Sequence, residues 1–121
     1  MSDQKTILVV DDNEPTRTLL RGILEAEGYA VIEASDGEVA IAMAKEQKPD
    51  AALIDQYMEP YNGYKTAEIM GFDGIKMPMI MITAHDATDL LSQAQRHGFS
   101  NVMKKPIDPK KLLWLLAREL R

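Results

Sequence analysis

The chain predicts an open α/β fold: a five-stranded parallel sheet, doubly wound, with five helices packed on its two faces. Two observations carry this. Short apolar runs rich in Val, Ile and Met recur along the sequence, and each is followed by a stretch with apolar residues at helical spacing. That regular alternation is the signature of strand–helix–strand units with right-handed crossovers. A third observation concerns the ends of the runs, where Asp, Thr and Lys repeatedly stand. In such sheets the carboxyl ends of the strands are where ligands bind.

The first strand is Ile7-Leu8-Val9-Val10, unbroken and β-rich, as expected of a strand covered on both faces. Asp11-Asp12 closes it. Asn13, Glu14 and Pro15 then start a helix, with a capping side chain and an early proline, and Leu19, Leu20, Ile23 and Leu24 give it an apolar stripe up to Gly28. Tyr29 to Ala34 is a weaker strand, Ser35-Asp36-Gly37 a turn, and Glu38 to Gln47 an Ala-rich helix with Val39, Ala40, Met43 and Ala44 on one face. The third strand, Ala51 to Ile54, ends at Asp55. Tyr64 to Met70 forms a helix after Asn62-Gly63, and Gly71-Phe72-Asp73-Gly74 ends it. Met79 to Ile82 is the fourth strand, closed by Thr83. A helix over 86–97 gathers Leu90, Leu91 and Ala94, with Gly98 as its stop. Asn101 to Lys105 has the mixed polarity of an edge strand. Asp108-Pro109 caps a last helix carrying Leu112, Leu113, Leu116 and Leu120, a stripe that leaves at least one of Trp114 and Leu115 partly exposed.

Composition narrows the function. A length of 121 residues suits one domain, 1–121, with one hydrophobic core. A net charge of −5 argues against a direct nucleic-acid surface. The absence of Cys excludes disulfides and thiolate metal sites. No apolar run approaches the roughly 20 residues of a membrane span, and Met1-Ser2-Asp3-Gln4-Lys5 has no apolar signal region. The expectation is a cytoplasmic protein that does not enter a membrane.

The fold brings Asp11, Asp12, Asp55, Thr83 and Lys105 to one edge, although the chain scatters them. Each has an ordinary reading. Asp11 and Asp12 alone could cap a helix, Asp55 a loop, and Thr83 a strand end. Together they are harder to dismiss, because carboxylates about 4 Å apart repel at roughly 4 kcal/mol per pair in an effective dielectric of about 20. A cation must relieve this. An all-oxygen site with room for water favours Mg²⁺, and Lys105 adds a mobile charge suited to an incoming anion. Metal, amine and hydroxyl are the equipment for stabilising a phosphoryl group in transfer, with an Asp able to accept it.

Leu8-Val9-Val10-Asp11-Asp12, Ala34-Ser35-Asp36-Gly37-Glu38-Val39-Ala40, Asp55 with Met58 and Asn62-Gly63, Thr83-Ala84 and Lys105-Pro106 follow one another at compatible spacing. In these the chain resembles, along its whole length, the receiver domain of two-component response regulators. The resemblance implies the CheY-like strand order 2-1-3-4-5. It implies Asp55 as phosphoacceptor, Asp12 as direct Mg²⁺ ligand, Asp11 as ligand through water, and Tyr57 as donor of a backbone carbonyl to the metal. It implies Thr83 as the switch hydroxyl, Lys105 as the partner of the phosphoryl group, and a cis Lys105-Pro106 bond. It further implies a histidine kinase or phosphotransfer protein as donor, and a downstream protein target or a second copy bound through the last two helices.

The chain departs from the family's pattern in places. Glu59 stands where Pro is usual and Pro60 follows it; Val102 replaces a customary aromatic ring. Tyr57 and His85 occupy positions that tune the lifetime of the phosphoryl group, and bulky Tyr57 is expected to prolong it. Lys104 alternates away from Lys105 and reads as a solvated edge residue. His85 and His97 read as surface residues, and the eight Met residues mainly as core filler. Two other classes use similar parts. An Asp-nucleophile phosphohydrolase of the haloacid dehalogenase type needs a second Asp where this chain has Tyr57. A flavodoxin-like nucleotide binder needs a glycine-rich phosphate loop where it has acids.

Overall fold

The computed structural model describes residues 4–86 and 88–121. Residues 1–3, and residue 87 near the predicted start of the fourth helix, lie outside the described residues. The elements alternate throughout: β1 (Thr6–Val10), α1 (Glu14–Ala26), β2 (Ala30–Ala34), α2 (Gly37–Gln47), β3 (Ala51–Asp55), α3 (Gly63–Phe72), β4 (Met79–Thr83), α4 (Leu90–Arg96), β5 (Asn101–Lys104) and α5 (Pro109–Glu119). The five strands form one sheet in the order β2-β1-β3-β4-β5, and every neighbouring pair is parallel.

Burial follows the pleat. Every residue of β3 and of β4 is buried, which is why these segments read as continuous apolar runs rather than alternating ones. Ile7, Val9, Leu53, Ile80 and Ile82 pack with Leu20 and Leu24 of α1 and Leu112, Leu115 and Leu116 of α5. Leu8, Val10, Ala52, Ile54, Met79 and Met81 pack on the opposite face with α2, α3 and α4. The edge strand β5 buries only Met103.

Local chemistry sets the helix starts. Asn13 Oδ1 accepts from the Thr16 N–H at 2.9 Å, Asp36 Oδ1 from Val39 N–H at 2.9 Å, and Asn62 Oδ1 from Lys65 N–H at 2.9 Å. Gly28 and Gly98, at φ of 96° and 103°, turn the chain out of α1 and α4.

Three helices differ from the sequence expectation. α4 begins at Leu90 rather than near 86: Asp89 makes no side-chain capping bond, and Asp86 is paired with Lys104. In α2 the inward residues are Gly37, Ala40, Ile41 and Ala44, while Val39 is exposed, because an Ala-rich helix has almost no amphipathic contrast to reveal its phase. In α5 the buried stripe is Leu112, Leu115 and Leu116; Leu113 is only partly buried. Trp114 is the exposed member of the pair singled out above, at 60%, with the Arg118 guanidinium 5.3 Å from its ring centre.

Candidate functional site

The site is assembled by the ends of β1, β3 and β5. Asp11 follows β1, is buried, and its Oδ1 accepts the Asn13 N–H at 2.9 Å. Its position is fixed from behind: the Asp11 N–H donates to Ala34 O at 3.2 Å, and Arg17 Nη1 donates to the Asp11 carbonyl at 2.6 Å. Arg17 and Arg21 also hold Glu33 of β2, at 3.0 and 2.7 Å, so one clamp ties together β1, α1 and β2. Asp12, the next residue, is exposed.

Asp55 ends β3 and is buried. The Lys105 ammonium lies 3.1 Å from Asp55 Oδ1 and 3.7 Å from Asp11 Oδ2. Lys105 is itself placed by its N–H, which donates to Thr83 O at 2.8 Å just past the last β4–β5 pair. The Lys105-Pro106 peptide is cis, as the resemblance implied, and so is Glu59-Pro60, which it did not. One carboxylate oxygen from each of Asp11, Asp12 and Asp55 lies within 4.8 Å of the others.

The charges respond to this crowding. Burial raises the pKa of Asp55, and neighbouring Asp11 adds to the shift against the opposing pull of Lys105. Burial likewise raises that of Asp11, opposed by the Asn13 N–H and by Lys105. For Lys105, burial acts downward, but the hydrogen bond and charge of Asp55 outweigh it and raise the pKa. The ammonium is therefore firmly charged, while the two buried carboxyls are short of compensation.

The donor set fits a hard divalent cation: three carboxylates, no sulfur, no imidazole, and one exposed member that leaves room for water. Beside it lies a depression of about 480 Å³ lined by Asp12, Tyr57, Met58, Glu59, Pro60 and Asn62. Tyr57 is 59% exposed and lines this depression together with Asp12. A slightly larger cavity, lined by residues such as Lys45, Lys48 and Lys76, sits at the amino edge of the sheet, away from the carboxylates.

The loop after β3 is tightly folded. Gly63 N–H donates to Gln56 O at 2.8 Å, and a Cβ at Gly63 would meet Asp55 O at 2.5 Å. Only glycine lets the start of α3 come this close to the back of Asp55.

The predicted set is thus brought together in part. Asp11, Asp12, Asp55 and Lys105 converge. Thr83 is fully buried at the same edge, but its hydroxyl donates to Gln56 Oε1 and accepts the His85 N–H at 3.0 Å. Gln56 was not foreseen: a polar residue after a strand reads as a turn, and only its burial across from Thr83 exposes its part. His97 is half-buried, stacked on Tyr64 and paired with Glu68, and so belongs to the packing of α3 against α4. Lys104 is exposed, as its alternation predicts, and is also paired with Asp86.

Comparison with known proteins gives a concordant result. The family model described as response regulator receiver domain matches residues 7–117. The chain is 31% identical over 109 residues to Protein PilH of Pseudomonas aeruginosa, covering 88% of this chain and 90% of that one. It is 36% identical to the alkaline phosphatase synthesis transcriptional regulatory protein PhoP of Bacillus subtilis, covering 89% of this chain and 45% of that one. With the phosphate regulon regulatory protein PhoB of P. aeruginosa the identity is 34%, over 97% of this chain and 52% of that one, so the chain spans about half the length of these two relatives. Among solved structures, Vibrio cholerae chemotaxis protein CheY4 superposes with a TM-score of 0.90 at 26% identity, covering 97% of this chain and 99% of that one. Acidic cluster, lysine, fold and relatives agree, and the chain belongs to the response regulator receiver domain family.

Proposed function

We propose that the chain, a single receiver domain over 1–121, is a phosphoacceptor switch that takes a phosphoryl group onto Asp55. The observation that carries the reading is the Lys105 ammonium 3.1 Å from a buried Asp55 oxygen, with two further carboxylates in the same crevice. An amine so placed pairs with one Asp55 oxygen and leaves the other free to attack.

Asp55 forms the new O–P bond while the bond from phosphorus to the donor's leaving atom breaks, and that atom departs with the electron pair; the product is an acyl phosphate. Lys105 pairs with the phosphoryl oxygens as they arrive, and Thr83 donates its hydroxyl proton to one of them once it has turned from its present partner. Asp12 would hold Mg²⁺ directly and Asp11 through water, with Asp55 and the Tyr57 carbonyl completing the protein's share. When bound, Mg²⁺ supplies the positive charge that makes the acidic cluster tolerable and neutralises phosphoryl oxygens. Tyr57 shields the acyl phosphate from water.

The donor is a histidine kinase or phosphotransfer protein, and the output is a protein contact, with a target or a second copy, through α4 and α5 rather than through nucleic acid or membrane. Exposed Trp114 on α5 and Leu91 on α4 support that surface. Among the described residues no helix is long and apolar enough to cross a membrane. Turnover of a free substrate is disfavoured by Tyr57, which stands where a phosphohydrolase would need its general acid.

Incubation with Mg²⁺ and a small-molecule phosphodonor, read by intact mass, tests this. The expected result is a gain of one phosphate by the parent and none by Asp55→Asn. Equal gain in both would move the acceptor elsewhere.

A further inference from the structure

β3 and β4 run in register with Asp55 opposite Ile82, so Gln56 and Thr83 are the next pair beyond. Alternation along both strands turns these two side chains to the face occupied by Ile54 and Met81. Both are buried, Gln56 at 7% and Thr83 at 0%. The Gln56 backbone is held at each end, its N–H donating to Ile82 O at 2.9 Å and its carbonyl accepting the Gly63 N–H at 2.8 Å. The amide side chain is therefore delivered from a fixed point.

Thr83 has one hydroxyl proton, and it is given to Gln56 Oε1; its oxygen accepts from His85 N–H. That proton cannot serve two acceptors well. A buried glutamine directly after Asp55, on the face of Ile54 and Met81, is also an expensive choice for simple filling, since an aliphatic side chain would need no partner.

We propose that Gln56 is a positioning residue that holds the Thr83 hydroxyl in its resting orientation, so that an arriving phosphoryl group competes with the Gln56 amide for one proton. This rests on the reading of Asp55 as phosphoacceptor and of Thr83 as its switch hydroxyl. Gln56 thereby stabilises the unphosphorylated state and sets how much of the population adopts the switched one. An isosteric side chain without the acceptor, as in Gln56→Met, leaves the resting hydroxyl proton without an acceptor, while its oxygen still accepts the His85 N–H, and favours the state in which the proton finds one. Loss of one net hydrogen bond is expected to shift that equilibrium about fivefold. Affinity for a phosphoryl mimic rises with the competent fraction.

The test is titration with beryllofluoride and Mg²⁺, read by fluorine NMR of the bound mimic, in the parent, Gln56→Met, Thr83→Val and the double variant. Gln56→Met is expected to bind about fivefold more tightly than the parent, and to have no effect in the Thr83→Val background. No tightening, or equal tightening in both backgrounds, overturns the proposal, because the effect would then not pass through the hydroxyl. A parent that binds no better than Asp55→Asn removes the underlying reading instead, and is recognised by that control. A second readout is the Thr83 methyl resonance without any mimic. In Gln56→Met it should move toward its position in the bound parent, and an unmoved methyl counts against the latch. Gln56→Leu, checked for native circular dichroism, replaces Gln56→Met if that variant does not fold.

Discussion

The two faces of the sheet are filled with different side chains. Against α1 and α5 the buried set is mainly branched: Ile7, Val9, Leu20, Leu24, Leu53, Ile80, Ile82, Leu112, Leu115 and Leu116. Against α2, α3 and α4 it draws heavily on Ala40, Ala44, Ala52, Ala67 and Ala94 with Met58, Met70, Met79 and Met81. Branched aliphatics have well-defined rotamers and interdigitate in one way, while Met adapts and Ala lets helices approach. Gln56 and Thr83 face the Ala and Met side. On the proposed switching of Thr83, the part of the core that would adjust is built of the more forgiving material, and the opposite face would serve as its support.

The largest stability effect should come from the rigid side. Leu112→Ala, at a fully buried position, is expected to cost about 3 kcal/mol in denaturant unfolding, through lost transfer energy and the cavity left behind. Gly63→Ala comes next, at about 2 kcal/mol, because its Cβ must push against the Asp55 carbonyl. That variant should also accept phosphate poorly, since Asp55 has to move; native stability and native acceptance together would contradict the close approach. On the adaptable face, Met70→Leu should cost less than about 1.5 kcal/mol although Met70 is fully buried. A cost equal to that of Leu112→Ala would erase the contrast between the faces.

Smaller still is the clamp behind Asp11. The hydrogen bond from Arg21 is the main reason that the Glu33 carboxyl lies below its ordinary value, and Arg17 adds to it against burial. Its stabilisation is therefore present above the ordinary carboxyl range and is lost as pH falls through the depressed folded value. Glu33→Gln should cost about 1 kcal/mol at neutral pH, given its partial exposure, and the gap from the parent should close on acidification. A gap that is constant with pH would assign the effect to packing. Tyr57→Ala should change stability by less than about 0.5 kcal/mol, because the ring is exposed. It should nevertheless lose phosphate faster; loss no faster than in the parent would end the shielding role of Tyr57.

What the sequence made legible was whatever depends on strand order and strand ends. Ile7 to Val10, Ala51 to Ile54 and Met79 to Ile82 are apolar because they are covered on both sides, and the polar residue that ends such a run falls at the carboxyl edge. Asp11, Asp55 and Thr83 are grouped on that basis, and Lys105 joins them at the end of the mixed-polarity edge strand. Helix phase was less legible. Val39 and Leu91 were expected inward and are exposed, while Ile41 and Leu115 are buried, because Ala-rich or Leu-rich helices offer several nearly equivalent stripes. Gln56 was hidden for a different reason. Its polarity matched a surface turn, and only pairing across two strands separated by an entire helix makes it a buried acceptor.

On the proposed function, Asp55 is the residue that becomes an acyl phosphate. Borohydride reduces such a mixed anhydride to the alcohol, so brief phosphodonor treatment in Mg²⁺ followed by borohydride and peptide mass analysis reads the acceptor directly. The expected product is homoserine at position 55 and no other reduced side chain. Unchanged Asp55, with phosphate recovered on a hydroxyl or at another carboxylate, would contradict it.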